Sequence, residues 1–132
     1  MRVVLCSAVL LLAGCDVFGS SLEAAFTARA SRPDIALALK NTGDEAFGVG
    51  VLRCAVTVEI DNDGWEEADY ESLALCIDIL NVVEPGETLE EDFSIKGLGN
   101  GLYRFRVTVE GQDGGSTRTV VSNEIRIASA DG

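Results

Sequence analysis

From Leu22 onward, apolar and polar residues alternate with a period of two, and this pattern excludes more folds than any other feature of the chain. In DIALALK, Ile35, Leu37 and Leu39 share one face, with Ala36, Ala38 and Lys40 on the other. In RCAVTVEI, Cys54, Val56, Val58 and Ile60 oppose Arg53, Ala55, Thr57 and Glu59. In LYRFRVTVE, Tyr103, Phe105, Val107 and Val109 oppose Arg104, Arg106 and Thr108, and Ile125 and Ile127 repeat the theme. SLEAAFTARA alternates more weakly. Such runs make strands with one buried and one wet face. The turn sequences NTGDE, DNDG, EPGE, GLGNG and GQDGG separate them. Turns at a spacing of roughly ten residues imply an all-β sandwich of two antiparallel sheets with about seven or eight strands. ESLALCIDIL alone competes as a helix, and its β-branched, turn-flanked setting makes it extended. With 132 residues, 47% of them hydrophobic, the chain holds one cored domain, here read as residues 22–130.

The first 14 residues obey a different rule. Arg2 is followed by an apolar run, Val3 to Ala13, broken only by Cys6 and Ser7. A hydrocarbon core needs about 20 apolar residues, so this run is too short to span one. A positive start, a short apolar stretch and small residues at its end describe an export signal. Its last residues, LLAGC, Leu11 to Cys15, resemble the bacterial lipoprotein lipobox. The resemblance implies cleavage before Cys15, whose nucleophilic thiol then carries a diacylglyceryl group. Residues 1–14 are thus read as a lipoprotein signal peptide, residues 15–21 as a lipidated tether, and Cys15 as a membrane anchor. Two or three acyl chains hold far more firmly than one. Asp16 resembles the inner-membrane retention signal of enteric bacteria, but other bacteria do not all read it so. Inner and outer membrane both stay open.

Two thiols remain for the mature domain. Cys6 leaves with the signal and Cys15 is acylated, so Cys54 and Cys76 enter an oxidising space. No CxxC suggests redox work, and no histidine is present to share a zinc site. The pair reads as a disulfide staple, which would stabilise the fold by about 3 kcal/mol on the chain-entropy model.

In order, the chain runs KNTGDEAFGVGVLRCAVTVEIDNDGWEE, a second cysteine, VVEPGETLEEDFSI, GLYRFRVTV and VSNEIRI. Over residues 31–128 this resembles the immunoglobulin-like domains of bacterial envelope lipoproteins. The matching points are Asn41 to Gly43, Cys54, Gly64-Trp65, Pro85-Gly86, Gly101 to Phe105, and Ser122 to Ile127. The resemblance implies an immunoglobulin-like sandwich, a fold that serves adhesion, inhibition, spacing and carbohydrate recognition alike. The expected role is a non-enzymatic interaction or accessory module of the cell envelope, with an unidentified protein or glycan partner. The alternatives are an inhibitor of envelope proteases, presenting GQDGGST as an ordered loop, or a plain spacer. Intracellular proteinase inhibitors of bacteria share the early Asn-Thr strand and the Pro-Gly turn, but a lipobox contradicts their cytoplasmic setting.

Chemistry finds little footing. Glu59, Asp61, Asp63 and Gly64 imitate the start of a calcium loop, but its twelfth position falls on Tyr70 instead of a glutamate. The same residues make a hairpin with a left-handed turn, and no metal site is expected. GLGNG feeds a strand and lacks the Lys-Ser/Thr of a phosphate loop. Trp65, the sole tryptophan, either packs on the core or stacks against a sugar or a partner. Without histidine there is no His-based triad or general base, no Gly-x-Ser-x-Gly elbow occurs, and short turns offer no deep cleft to raise a carboxylate pKa. Neither an enzyme nor a cofactor is expected.

The formal charge is −12, one unit more negative once Arg2 leaves, which argues against nucleic acid and anionic lipid as partners. Lys40 and Lys96 are the only lysines. Acid-rich, lysine-poor composition fits a salty habitat and equally an ordinary acidic secreted domain. The two differ in a melting experiment, because at 1 M salt the Debye length falls to about 3 Å. A domain strained by its own charge gains melting temperature as NaCl rises. A flat or falling curve removes the halophile reading.

Overall fold

The computed structural model describes residues 22–70, 76, 79–112 and 115–128. The leader, Cys15, the tether, most of ESLALCIDIL and the last residues of the 22–130 domain lie outside the described residues. The described chain runs β1 (Ala24–Ser31), β2 (Asp34–Asn41), β3 (Phe47–Gly50), α1 (Leu52–Ala55), β4 (Thr57–Asp61) and β5 (Trp65–Glu67). It continues with β6 (Leu80–Val83), β7 (Thr88–Ser94), β8 (Gly101–Gly111), β9 (Thr117–Val121) and β10 (Ile125–Ile127). These strands form an all-β sandwich of two antiparallel sheets. The smaller has the order β1-β2-β7, and the seven-stranded one joins β5-β4-β8-β3-β6, with β9 and β10 also on β8.

The period-two pattern sets both faces of each sheet. Ile35, Leu37 and Leu39 of β2 turn inward with Phe93 of β7, and Tyr103, Phe105, Val107 and Val109 of β8 meet them with Phe47 and Val49 of β3. The Phe93 and Phe105 rings join the sheets edge to face, 5.2 Å between centroids. Truncating a fully buried phenylalanine of this kind to alanine costs about 3–5 kcal/mol.

Ten segments make eight strand lines among the described residues, because two lines are broken. β3 and β4 lie end to end along one edge of β8, pairing Gly48 with Glu110 and Thr57 with Arg106. Between these pairs eight residues on this line stand against three on β8, and the surplus winds into the helical turn α1. The expected strand through Cys54 and Val56 is corrected accordingly: it begins only at Thr57. The turn owes its stability to distant groups. Glu91 sits on the inner face of β7 between Leu89 and Phe93, and its carboxylate accepts the Leu52 N–H at 2.9 Å and the Arg53 N–H at 3.3 Å. Cys54 is joined to Cys76 by a disulfide, Cα to Cα 5.8 Å, as the cysteine count implied.

The second broken line is mended by side chains. Between β9 and β10 the Ser122 N–H donates to the Phe105 carbonyl at 2.8 Å, and the Phe105 N–H donates to Ser122 Oγ at 2.9 Å. Asn123 then pairs with Ala28 on the edge of β1. Its Oδ1 accepts the Ala28 N–H at 2.8 Å and its Nδ2 donates to the Ala28 carbonyl at 3.0 Å. One amide thus stitches the two sheets together.

The turns follow their sequence signals. Pro85-Gly86 makes a type II turn, with Gly86 at φ 87° and the Glu87 N–H donating to the Glu84 carbonyl at 2.9 Å. Asn41, wholly buried, ties this turn to its neighbours. Its Nδ2 donates to the carbonyls of Glu45 and Val83, each at 2.9 Å, and its Oδ1 accepts the Gly43 N–H at 2.9 Å. Tyr103 Oη donates to the Gly99 carbonyl at 2.9 Å, holding the loop before β8, and burial pushes its phenol pKa up.

Leaving these backbone groups without partners costs about 1–3 kcal/mol per group. Asn41→Leu, which orphans two carbonyls and an N–H, is expected to destabilise the domain by about 3 kcal/mol or more, and Asn123→Ala by about 2 kcal/mol. Urea unfolding followed by Trp65 emission measures both; losses below about 0.5 kcal/mol would contradict these roles.

Candidate interaction face

Inward alternation on β8 leaves Leu102, Arg104, Arg106, Thr108 and Glu110 on the outer face of the seven-stranded sheet. Residues paired across a ladder project to the same side. Glu59 and Thr57 of β4 therefore flank Arg104 and Arg106, and Thr119 and Val121 of β9 flank Thr108 and Arg106. Beyond β3, Gly48 and Gly50 stand opposite Val82 and Leu80 of the edge strand β6.

Glu59 is the electrostatic centre. Arg104 Nε donates to its Oε1 at 2.7 Å, and Arg106 Nη1 lies 3.6 Å from its Oε2. The wet-face position expected for Glu59 is right in direction, yet the residue is only 8% exposed. Arg104 accounts for this: its long side chain lies over the carboxylate and leads on to Trp65, with the guanidinium carbon 4.3 Å from the ring centroid. The stack sets Trp65 on the outer face, half-buried, with one ring face against Arg104. Its position comes from the DNDG hairpin, where Asp61 pairs with Trp65 and Asp63 and Gly64 take positive φ of 58° and 131°. The Gly64 N–H donates to Asp61 Oδ1 at 3.2 Å across the turn of the hairpin.

The apolar part of the face was not foreseen. Leu80, Val82 and Val121 are 60%, 48% and 43% exposed, three of the four large apolar side chains that stand exposed among the described residues. Leu80 lies over Gly48, where an added Cβ would come to 3.0 Å from Leu80 Cδ1 and make the leucine shift. Between these groups Thr57, Arg106, Thr108 and Thr119 line a shallow depression of about 190 Å³. The Thr108 and Thr119 hydroxyls are 2.8 Å apart and hydrogen-bonded to each other.

The outer face of the smaller sheet differs in chemistry. Its depression, about 350 Å³, has Ala36 and Ala38 for a floor and Arg29, Glu90 and Asp92 for walls. No exposed large apolar side chain among the described residues lies on it.

Of the residues singled out from sequence, Trp65 belongs to the described face, Cys54 and Cys76 form the disulfide beside α1, and Cys15 lies outside the described residues. Arg106, Leu80 and Val82 were missed. Arg104 and Arg106 on one wet face were a usable signal; nothing local marks Leu80 and Val82 as an edge. No protein-family model matches the chain, and no curated protein is significantly similar to it.

Glu59→Gln leaves two guanidinium groups without their shared charge. The expected loss is about 2 kcal/mol of stability, since hydrogen bonds to charged groups contribute about 1.5–3 kcal/mol. Trp65 emission should shift as Arg104 is released from its partner. Unchanged stability together with unchanged emission would show that Glu59 does not organise this face.

Proposed function

We propose that this chain is an exported, lipid-anchored protein of the bacterial cell envelope, and that its sandwich is a non-enzymatic interaction module docking through the outer face of the seven-stranded sheet. The observation that carries the docking role is the exposure of three large apolar side chains on one face: Val121 beside Arg106, and Leu80 and Val82 across β3. Isolated exposed apolar residues are ordinary, whereas a face that combines several with an arginine suits a protein partner. Anchoring rests on LLAGC and its Cys15, and the Cys54–Cys76 disulfide fits an oxidising compartment.

The immunoglobulin-like reading is supported by the division of strands into β1-β2-β7 and the rest, and by the Tyr103 bond to Gly99. A tyrosine near the start of this strand bonding backward in the chain is a hallmark of such sandwiches. The protease-inhibitor reading has less support. In GQDGGST the Gly111 N–H donates to the Ser116 carbonyl at 2.9 Å, leaving four residues, 112–115, beyond the last pair, and residues 113–114 are outside the described ones.

Intact mass of the chain recovered from bacterial membranes tests the anchor. The expected species lacks residues 1–14 and carries an acyl mass at Cys15, and Cys15→Ser should move the protein out of the membrane fraction. A chain that keeps Met1, or one without acyl mass, would contradict the proposal.

A further inference from the structure

We infer that the outer face of the seven-stranded sheet recognises a carboxylate presented by a polypeptide partner, and that Arg106 is the residue that takes it. The inference rests on the docking role proposed above and gives it a chemistry. Two guanidinium groups share the carboxylate of Glu59, and the other acids of this face, Asp61, Glu67 and Glu110, do not pair with Arg106, whose ladder partners are Thr57 and Val121. The two arginines are not equivalent. Arg104 is committed, with a 2.7 Å hydrogen bond to Glu59 and its plane against Trp65. Arg106 approaches Glu59 only to 3.6 Å, and its side chain is 42% exposed. A guanidinium has five N–H donors in a planar fork that matches a carboxylate. Arg106 lines the depression together with Thr57, Thr108 and Thr119. Thr108 and Thr119 share one hydrogen bond, which uses one hydroxyl proton and leaves the other free to donate to an anion.

The surroundings select the carrier of that carboxylate. Val121 stands directly beside Arg106 in the ladder, and Leu80 and Val82 stand exposed on the same face across β3. A polyanion such as nucleic acid, a uronic polymer or an anionic bilayer would meet the repulsion of the whole acidic chain. A second copy would meet the same repulsion. An isolated Asp or Glu set among apolar side chains of another protein limits that repulsion and matches Arg106. Arg104 already occupies one face of Trp65, which leaves a stacking sugar only the other.

A phage-displayed random dodecapeptide library, selected against the full exported chain, is the probe. Enriched peptides should carry one Asp or Glu flanked by apolar residues. Their affinity should fall about tenfold on Arg106→Gln, a readable change of one decade in Kd. It should stay unchanged on Arg29→Gln, on the opposite sheet. Replacing the peptide's acid by its amide should cost as much in the wild-type chain and nothing more in Arg106→Gln, as a double-mutant cycle for a direct pair requires. Peptides that lack an acid, or that bind equally well to Arg106→Gln, overturn the inference. If those peptides still lose affinity on Val82→Asp, the docking face stands and only its chemistry is wrong. If neither variant matters, or no peptide is enriched, both fall.

Discussion

The eleven residues of β8, alternately buried and wet, are the constraint on which the rest of this molecule depends. One edge of the strand pairs with β3 and β4, the other with β9 and β10, so four segments take their register from it. Its inward set, Tyr103, Phe105, Val107 and Val109, supplies the large sheet's share of the core. Its outward set, Arg104, Arg106 and Thr108, supplies the middle of the candidate face. A slip of one residue would exchange the two sets, burying guanidinium groups and exposing phenylalanine. The core and the candidate face are therefore properties of the same strand, separated only by the pleat.

Polar side chains gather where that regular pattern breaks. Asn41, Glu91, Ser122 and Asn123 all bond to backbone groups at strand ends, at the α1 turn, at the break between β9 and β10, or on the edge of β1. Buried backbone groups without partners are expensive, so each interruption needs a side chain that imitates the missing ladder. Glu91 does this across the sandwich, from one sheet to the other, and the Cys54–Cys76 bond holds the same turn from its other side. The interruptions thus add cross-links between distant parts of the chain.

How much of this was legible in the sequence follows from where the causes lie. The inward sets of β2 and β8 were legible because period-two alternation is local, and the turns at DNDG and EPGE because Asp-Gly and Pro-Gly act within four residues. The helical turn at Leu52–Ala55 was not. Its apolar alternation reads as strand, and the groups that stabilise it, Glu91 and Cys76, are far away in the chain. Glu59 was placed on the correct side, but its burial depends on Arg104, which arrives from another strand. The apolar part of the face was illegible for a similar reason. Leu80 and Val82 look like core residues until topology makes β6 an edge and Gly48 opens space beside it. Leu80 had been read within an extended segment, and of that segment only Cys76, Ile79 and Leu80 are described.

The acidity of the chain, the proposed anchor and the candidate face combine into one picture. On the proposed reading, a chain of net charge −12 resists indiscriminate contact with polyanions and with its own copies, while the half-exposed Arg106 beside Val121 takes a chosen partner. The most direct measurement is photo-crosslinking in living cells, with the reactive residue placed at Val82 in one strain and at Ala36 on the opposite sheet in another. The account predicts a defined adduct from position 82 and none from position 36. Adducts from position 36 alone, or equal labelling from both, would contradict it.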